Sequence, residues 1–100
     1  MTAPRTMYVL HHRPGPAVPA GTSIFDHPGF GDHIAFLQRR AAADELLAAG
    51  SLPEREGGGM TVLDVDSFET ATELATKDDL AVVNGVLTVQ VEPWRVVMGR

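Results

Sequence analysis

The chain of 100 residues contains no cysteine. This absence excludes disulfide bridges, thiolate zinc sites and cysteine nucleophiles. Positive charge is also scarce, because eight lysine and arginine residues stand against 13 aspartate and glutamate residues, for a net charge of −5. The few basic residues are scattered, so nothing forms the basic patch that binds a phosphate backbone. We predict no nucleic-acid partner.

Long apolar runs are missing as well. No stretch approaches the roughly 20 residues that cross a bilayer, and the N-terminus lacks the apolar core of a secretion signal. We therefore predict a cytoplasmic protein with no membrane partner. With 44% apolar residues and no low-complexity tract, residues 1–100 are predicted to form one domain. An interface between two copies would add buried surface to the small core of such a domain.

The first half of the chain predicts a strand, a long loop and a helix. Residues 7–12 contain strand-forming tyrosine and valine, and the prolines that follow are predicted to end the strand. Residues 13–28 carry four prolines and two glycines, which predicts an unusually long loop. Apolar residues at near-helical spacing then predict a helix from residue 29 or 31 to residue 49, capped by Gly50.

Three glycines in the middle of the chain predict a turn between two strands. Residues 51–56 are predicted to form a short strand, irregular because Pro53 cannot donate a ladder hydrogen bond. Residues 57–59 are all glycine and predict the turn, and residues 60–65 predict the next strand. Together these segments predict a hairpin.

A second helix is predicted to begin at residue 66 or 67, since aspartate and serine both suit the N-cap position. Glu69 completes a capping-box pattern with Asp66, and the apolar residues that follow predict a buried face ending near residue 76. Residues 77–85 are predicted to be a connection that includes at most a short helical turn.

The last strand shows the clearest alternation in the chain. In the strand predicted over residues 86–92, leucine and valine occupy every second position from residue 87, and polar residues occupy the positions between them. This polar row consists of Thr88, Gln90 and Glu92. Pro93 is predicted to end the strand. Trp94 is predicted to bury its ring and to anchor the C-terminal segment against the domain or its partner.

The order strand, helix, strand, strand, helix, strand matches the ferredoxin-like βαββαβ motif. We therefore predict an α+β fold with a four-stranded antiparallel sheet and two helices on one face. The other face would be left open to water, and its polar row is typical of a partly hydrated partner surface. This arrangement predicts a homodimer formed through the sheet face.

All four histidines lie in the first third of the chain, and the predicted topology gathers them at one sheet edge with Asp78 and Asp79. A metal site is one hypothesis. However, neighbouring strand residues point to opposite faces, so His11 and His12 cannot enter one coordination sphere, and no His-x-His or His-x-x-x-His spacing occurs. We predict no metal ligand. Purely structural roles stay open, because these histidines could be satisfied by backbone or water and His33 could pack or cap its helix.

Four segments of the chain resemble the YCII-related domain family: residues 32–37, 49–52, 60–65 and 79–97. The family pattern is a histidine early in the first helix, followed by an aspartate, a glycine and a proline–aromatic pair. In this chain these residues are His33, Asp79, Gly85 and Pro93-Trp94. Leu80 stands where the family usually has proline. The family belongs to the dimeric α/β barrels, so the resemblance implies two ferredoxin-like sheets packed face to face.

The resemblance also implies that His33 and Asp79 form a catalytic pair. At least one member is a dehydrochlorinase of a chlorinated hydroxyquinol, which implies elimination, isomerisation or dehydrochlorination of a small organic molecule, with no cofactor. His33 would serve as general base or acid, oriented by Asp79. The candidates for substrate binding are the other polar side chains expected near the site: His11, His12, Ser23, Thr88 and Gln90.

The alternative is a non-catalytic small-molecule-binding or accessory dimer, in which the pair of His33 and Asp79 is structural. The surroundings of the histidine distinguish the two hypotheses. A solvent-reachable His33 in a cavity with polar neighbours favours catalysis, whereas a ring sealed by Phe25 or Phe30 favours a structural role.

Overall fold

The strands and helices follow one another in the predicted order, although several boundaries differ. The structure, a computed structural model, describes residues 4–99. Its strands and α-helices, in chain order, are β1 (Arg5–Pro14), α1 (Phe30–Ala42), β2 (Leu46–Ser51), β3 (Gly59–Leu63), α2 (Phe68–Glu73), α3 (Leu80–Val83) and β4 (Leu87–Val96). A 3-10 turn (Ile24–Asp26) precedes α1, and a π-helical turn (Leu74–Asp78) joins α2 to α3.

The four strands form one antiparallel sheet in the order β2-β3-β1-β4. The central strand β1 pairs with β4 from Arg5 to Pro14 and with β3 from Tyr8 to His12. The predicted α+β, ferredoxin-like βαββαβ fold is confirmed, with α2, the π-helical turn and α3 together in the place of the second helix. No helix within residues 4–99 has both the length and the apolar character needed to cross a membrane.

The main core lies between the sheet and the helices. Leu10 of β1, Leu63 of β3, Phe36 of α1 and Ala75 of the π-helical turn pack together and are fully buried. Burying one large apolar side chain stabilises the fold by roughly 1.5–3 kcal/mol. Contacts with β1, β3 and the π-helical turn therefore fix α1, the helix that carries His33, against the centre of the sheet.

The first helix ends seven residues earlier than predicted. It ends at Ala42, where the N–H groups of Asp44 and Glu45 donate to the carbonyls of Ala41 and Arg40 in a Schellman arrangement. Asp44 adopts the left-handed backbone conformation, with φ of 61°. The sequence did not indicate this end of the helix, because aspartate, rather than glycine, occupies the position with the left-handed backbone conformation.

The second strand accordingly comes earlier than predicted. Residues 46–49, predicted to be the end of the helix, belong with residues 50 and 51 to β2, which pairs with β3, and Gly50 lies in that strand rather than at a helix cap. The predicted strand over residues 51–56 was wrong, because residues 52–58 form a loop. Pairing with the neighbouring strand outweighs helix propensity here.

Two prolines predicted to end strands lie inside them. Pro14 is the last residue of β1 and pairs with Leu87, and Pro93 pairs with Tyr8 in the middle of β4. Both prolines are tolerated because each pairs with one neighbouring strand only. Pro93 belongs to the edge strand β4, and Pro14 lies outside the part of β1 that pairs with β3. The long loop therefore begins at residue 15, and β4 extends to Val96.

The cap of α2 also differs from the capping-box prediction. Ser67 is the N-cap, and its Oγ accepts a hydrogen bond from the Thr70 N–H at 3.0 Å. Asp66 and Glu69 therefore do not form the box that their spacing suggests. Of the two N-cap residues considered, the serine takes the position.

The sheet face opposite the helices has an apolar half and a polar half. Met7, Val9, Val62 and Val96 form a buried cluster there. Trp94 pairs with Met7 on this face and remains 46% exposed. Of the two surfaces predicted to anchor Trp94, the domain or its partner, the domain leaves the ring about half exposed, because the ring continues the outward row of β4 instead of turning into the core.

Candidate functional site

His33 is the fourth residue of α1 and lies at the end of its first turn, on the helix stripe that faces the sheet. Three residues further along the same stripe is Phe36, and both side chains are buried. The packing of Phe36 into the core therefore orients His33 as well. The ring of His33 stacks on that of Phe36 with a centroid distance of 6.1 Å.

Asp79 is fully buried at the start of α3. Its Oδ1 accepts a hydrogen bond from the Ala81 N–H at 3.0 Å, which makes Asp79 the N-cap of that short helix. Its Oδ2 lies 2.7 Å from Nδ1 of His33. Both oxygens of this buried carboxylate thus have a partner, as a buried charge requires.

The carboxylate determines which nitrogen of His33 carries the proton. An ionised carboxylate can only accept hydrogen bonds, so Nδ1 of His33 donates to Oδ2 of Asp79. In the neutral imidazole this leaves the lone pair on Nε2. Within residues 4–99, Nε2 has no hydrogen-bond partner, so it is free to exchange a proton with a bound molecule.

A second histidine, His12 of β1, lies beside His33. The two rings meet edge to face at a centroid distance of 4.7 Å, and Nε2 of His12 lies 3.1 Å from Oγ1 of Thr61. Burial, and after it the neighbouring His33, lowers the pKa of His12 from 6.5 to about 4, with Asp79 the main opposing charge. His12 is therefore a neutral imidazole near pH 7.

The two histidines line a cavity of about 300 Å³, which we call the histidine pocket. This volume is at the lower end of the range of ligand sites. The rings of Phe25 and Phe30, 5.2 Å apart, contribute to its wall. The rest of the lining comes mainly from α1, the end of β2 and the glycine turn: Ile34, Leu37, Ala49, Gly50, Ser51, Gly57, Gly58, Gly59 and Leu87.

The predicted site residues separate into three groups. His33, Asp79 and His12 come together at the histidine pocket, with Asp79 behind His33. Ser23 does not line the pocket, because its Oγ accepts the Phe25 N–H at 3.2 Å and caps the 3-10 turn. The structure therefore gives Ser23 a local structural role instead of the predicted contact with substrate.

His11, Thr88 and Gln90 lie on the opposite face of the sheet from His33. They line a second cavity of about 910 Å³, in which Nε2 of His11 lies 2.7 Å from Oε1 of Glu92. The strand pleat causes this separation, since consecutive residues of β1 face opposite sides. These three residues therefore do not line the histidine pocket of the chain, although the prediction grouped them with His33.

Backbone hydrogen bonds hold the long loop against the rest of the domain. The Gly15 N–H donates to the Val86 carbonyl at 2.8 Å and the Ala17 N–H to the Gly85 carbonyl at 2.9 Å. Gly85 has a φ of 75°, and a Cβ on Gly15 would collide with the Gly85 carbonyl oxygen. Ile24 is buried against the start of β4, which holds the adjacent Phe25 at the pocket.

The pocket residues differ in how far the sequence indicated them. Phe30 precedes His33 by three positions, which is a helical spacing that places both on one face. Thr61 reaches His12, and the turn at residues 57–59 reaches the pocket, only through the pairing of β3 with β1 and β2. Strand register of this kind cannot be read from a single sequence.

Comparison with known families supports the assignment made from the residues. A sequence model of the YCII-related domain matches residues 7–95. The chain belongs to the YCII-related domain family. A search of curated proteins gave no match. Within residues 4–99, no group of three or more histidine, cysteine, aspartate or glutamate side chains could share a metal ion.

A solved structure of similar fold is that of 5-chloro-2-hydroxyhydroquinone dehydrochlorinase (TftG) from Burkholderia phenoliruptrix AC1100, in complex with 2,5-dihydroxybenzoquinone. The TM-score is 0.62 at 16% sequence identity, and the match covers 87% of this chain and 92% of that chain. At this identity the likeness concerns the fold.

The one departure from the YCII pattern has a simple structural explanation. Asp79 is the N-cap of α3, and Leu80 is the first residue of that helix. Proline is favoured at this first position because its N–H is not needed there, but other residues are accepted. Leucine in place of proline therefore leaves the Asp79 carboxylate in position.

Proposed function

We propose that this YCII-related protein is an enzyme in which His33 acts as general base and acid on a small organic molecule. The observation that carries the proposal is the 2.7 Å contact between Nδ1 of His33 and Oδ2 of Asp79. It leaves Nε2 as a proton acceptor beside a cavity of ligand size. Asp79 orients the ring and stabilises the imidazolium that forms when Nε2 takes up a proton.

The proposed reaction moves a proton without a covalent intermediate. Nε2 of His33 would remove a proton from the bound molecule and then return it to another atom of that molecule, or to the group that leaves. Among residues 4–99, no serine or threonine hydroxyl bonds to His33, so a hydroxyl nucleophile activated by this histidine is not favoured. Elimination and isomerisation fit these groups best.

The shape and lining of the pocket favour a flat, largely apolar molecule. Phe25 and Phe30 provide aromatic walls, and His12 is uncharged near pH 7. Dehydrochlorination is the specific elimination suggested by TftG, a dehydrochlorinase of similar fold. The quinone bound in that structure, 2,5-dihydroxybenzoquinone, is therefore a suitable first probe.

A non-catalytic role is the second candidate, and a specific observation favours it. Asp79 also caps α3 through Oδ1 and is fully buried, so its bond to His33 could serve only to attach α3 to α1. The mainly apolar wall of the pocket suits binding without turnover equally well. In that case the protein would bind a small molecule as an accessory dimer.

A substrate screen distinguishes the two candidates. We expect wild-type protein to turn over a member of a panel of small aromatic, quinone and lactone compounds, and the His33→Ala variant to lose that activity. His11→Ala, on the opposite face of the sheet, is the matched control and should keep it. Turnover that survives in His33→Ala would exclude His33 as the catalytic group. Saturable binding of 2,5-dihydroxybenzoquinone without turnover of any compound would support the accessory role.

We also propose that the protein works as a homodimer in the cytoplasm, paired through the sheet face opposite the helices. The buried cluster around Val9 and Val62 is flanked there by Met60 and Trp94, which remain partly exposed in the single chain. A sheet face of this kind in contact with water is an expected interaction surface. A second copy would bury the exposed part of the Trp94 ring.

The mass in solution tests this pairing. Sedimentation at micromolar concentration should give twice the 10.7 kDa of one chain, and Trp94→Asp should shift the protein toward the monomer because it places a charge in the interface. Val83→Asp, at an exposed position of α3, should remain dimeric. A monomeric wild-type protein, or equal effects of both variants, would contradict the proposed interface.

A further inference from the structure

Ser51 is the last residue of β2 and lines the histidine pocket. It pairs with Gly59 of β3, and Gly59 in turn pairs with His12 of β1. Residues directly opposite each other in an antiparallel sheet point to the same face. The side chains of Ser51 and His12 therefore both lie on the face that carries His33, and the face proposed as the dimer interface is the other one.

The row of Ser51, Gly59 and His12 forms part of the floor of the pocket. Because neighbouring strands lie about 4.8 Å apart, the backbones of Ser51 and His12 are separated by roughly 10 Å across β3. Gly59 has no side chain to fill the space between them. His33 packs against His12 at a ring distance of 4.7 Å, so Ser51 lies across this space from the pair of histidines.

Few polar side chains of the pocket are available to a bound molecule. Nε2 of His12 has Thr61 as its partner, and Nδ1 of His12 is buried. Both carboxylate oxygens of Asp79 are engaged behind His33. The other residues that line the cavity are apolar or glycine. The side-chain groups that remain for hydrogen bonds to a bound molecule are Nε2 of His33 and Oγ of Ser51.

The hydroxyl group of Ser51 differs from those of the other two serines. Ser23 and Ser67 each use Oγ to cap a helical turn. Ser51 is exposed, and within residues 4–99 its hydroxyl has no hydrogen-bond partner. A hydroxyl group both donates and accepts hydrogen bonds. Ser51 can therefore exchange water for a polar atom of a bound molecule without breaking a contact of the fold.

We propose that Ser51 selects and orients the molecule bound in the histidine pocket, through a hydrogen bond to a polar atom at the end remote from His33. This inference rests on the proposed function, because it takes the molecule at Nε2 of His33 as the substrate. Nε2 acts on one end of that molecule while Ser51 holds the other. A ring with polar atoms at opposite ends satisfies both groups, whereas a ring with a methyl group at the far end leaves the serine hydroxyl without a partner.

Binding of two ring compounds of the same shape tests the role of Ser51. Hydroquinone carries a hydroxyl group at each end of its ring, and 4-methylphenol carries a methyl group in place of one of them. Neither compound has a group to eliminate, so calorimetric titration of the whole protein, performed without oxygen, measures binding alone. We expect wild type to bind hydroquinone about 3- to 10-fold more tightly than 4-methylphenol, the usual effect of one hydrogen bond.

Variants of Ser51 should change this preference. Ser51→Ala should abolish it, and Ser51→Thr, which keeps the hydroxyl group, should retain it. Thr76→Val is the matched control, because it removes an exposed hydroxyl group of the π-helical turn, outside the pocket, and it should keep the wild-type preference. His33→Ala should weaken the binding of both compounds by the same factor, since both present a hydroxyl group to Nε2.

The outcomes separate the role of Ser51 from the proposed function. A preference for hydroquinone that Ser51→Ala retains, equal effects of Ser51→Ala and Thr76→Val, or no saturation by hydroquinone below about 10 mM would each overturn the role of Ser51. Turnover that survives in His33→Ala would instead overturn the proposed function, whereas the preference for hydroquinone is measured without turnover.

Discussion

Replacing Asp79 with asparagine should lower turnover at the histidine pocket about 100- to 10,000-fold, the usual contribution of general acid–base catalysis. The asparagine Oδ1 can still accept the Ala81 N–H that Asp79 accepts now. Its amide N–H₂ would then face Nδ1 of His33 and donate to it. The imidazole proton would move to Nε2, where the ring could no longer accept a proton from a bound molecule.

Asp78→Asn is the matched control, since Asp78 is the neighbouring carboxylate in the chain. It is partly exposed and pairs with Arg39 and Arg40 at the surface. We expect this variant to retain wild-type turnover. Far-ultraviolet circular dichroism and the mass in solution should show that both variants are folded. An Asp79→Asn protein that is folded and fully active would contradict the proposed mechanism.

Lowering the pH from 7 to about 4 should cost about 3 kcal/mol of the free energy of unfolding through His12 alone. The folded protein holds the His12 pKa at about 4, mainly through burial, against 6.5 for an exposed histidine. Between pH 6.5 and 4 the unfolded chain binds a proton at His12, whereas the folded chain does not. Stability from this group is therefore complete above pH 6.5 and is lost as the pH falls toward 4.

Urea unfolding at a series of pH values measures this effect, with the protein concentration held constant because a dimer would unfold in a concentration-dependent way. His12→Gln should show a smaller loss of stability between pH 6.5 and 4 than wild type, since the glutamine does not titrate. His11→Gln is the control on the other sheet face and should keep the wild-type dependence. Identical pH dependence in wild type and His12→Gln would show that His12 is not held neutral by the fold.

The stability experiment and the turnover experiment address different properties of the same pocket. Burial of His12 behind His33 excludes a second positive charge from the site. When His33 takes up a proton, its imidazolium interacts with the Asp79 carboxylate. A neutral His12 does not compete with it for that carboxylate. A neutral His12 is in this way compatible with His33 accepting a proton.

Pattern and topology predicted the fold class and placed His33 near Asp78 and Asp79, and the resemblance to the YCII-related domain family then singled out Asp79. The βαββαβ order follows from alternating and helical periodicity, and in that order the start of the first helix comes near the end of the second helical unit. The structure has His33 and Asp79 within hydrogen-bond distance. Periodicity is a local property of the chain, so a single sequence was sufficient for these predictions.

Only the tertiary structure decided where the first helix ends, how two prolines fit the sheet, and which side chains share a cavity with His33. Leu46 to Ser51 has the composition of a helix end, yet it pairs with β3, and Pro93 is accepted because β4 is an edge strand. His11 and His12 are adjacent in sequence but face opposite sides of the sheet, so His11 lines the cavity of about 910 Å³ and His12 packs against His33. These outcomes depend on strand register and on contacts between residues far apart in the chain, which local propensities do not contain.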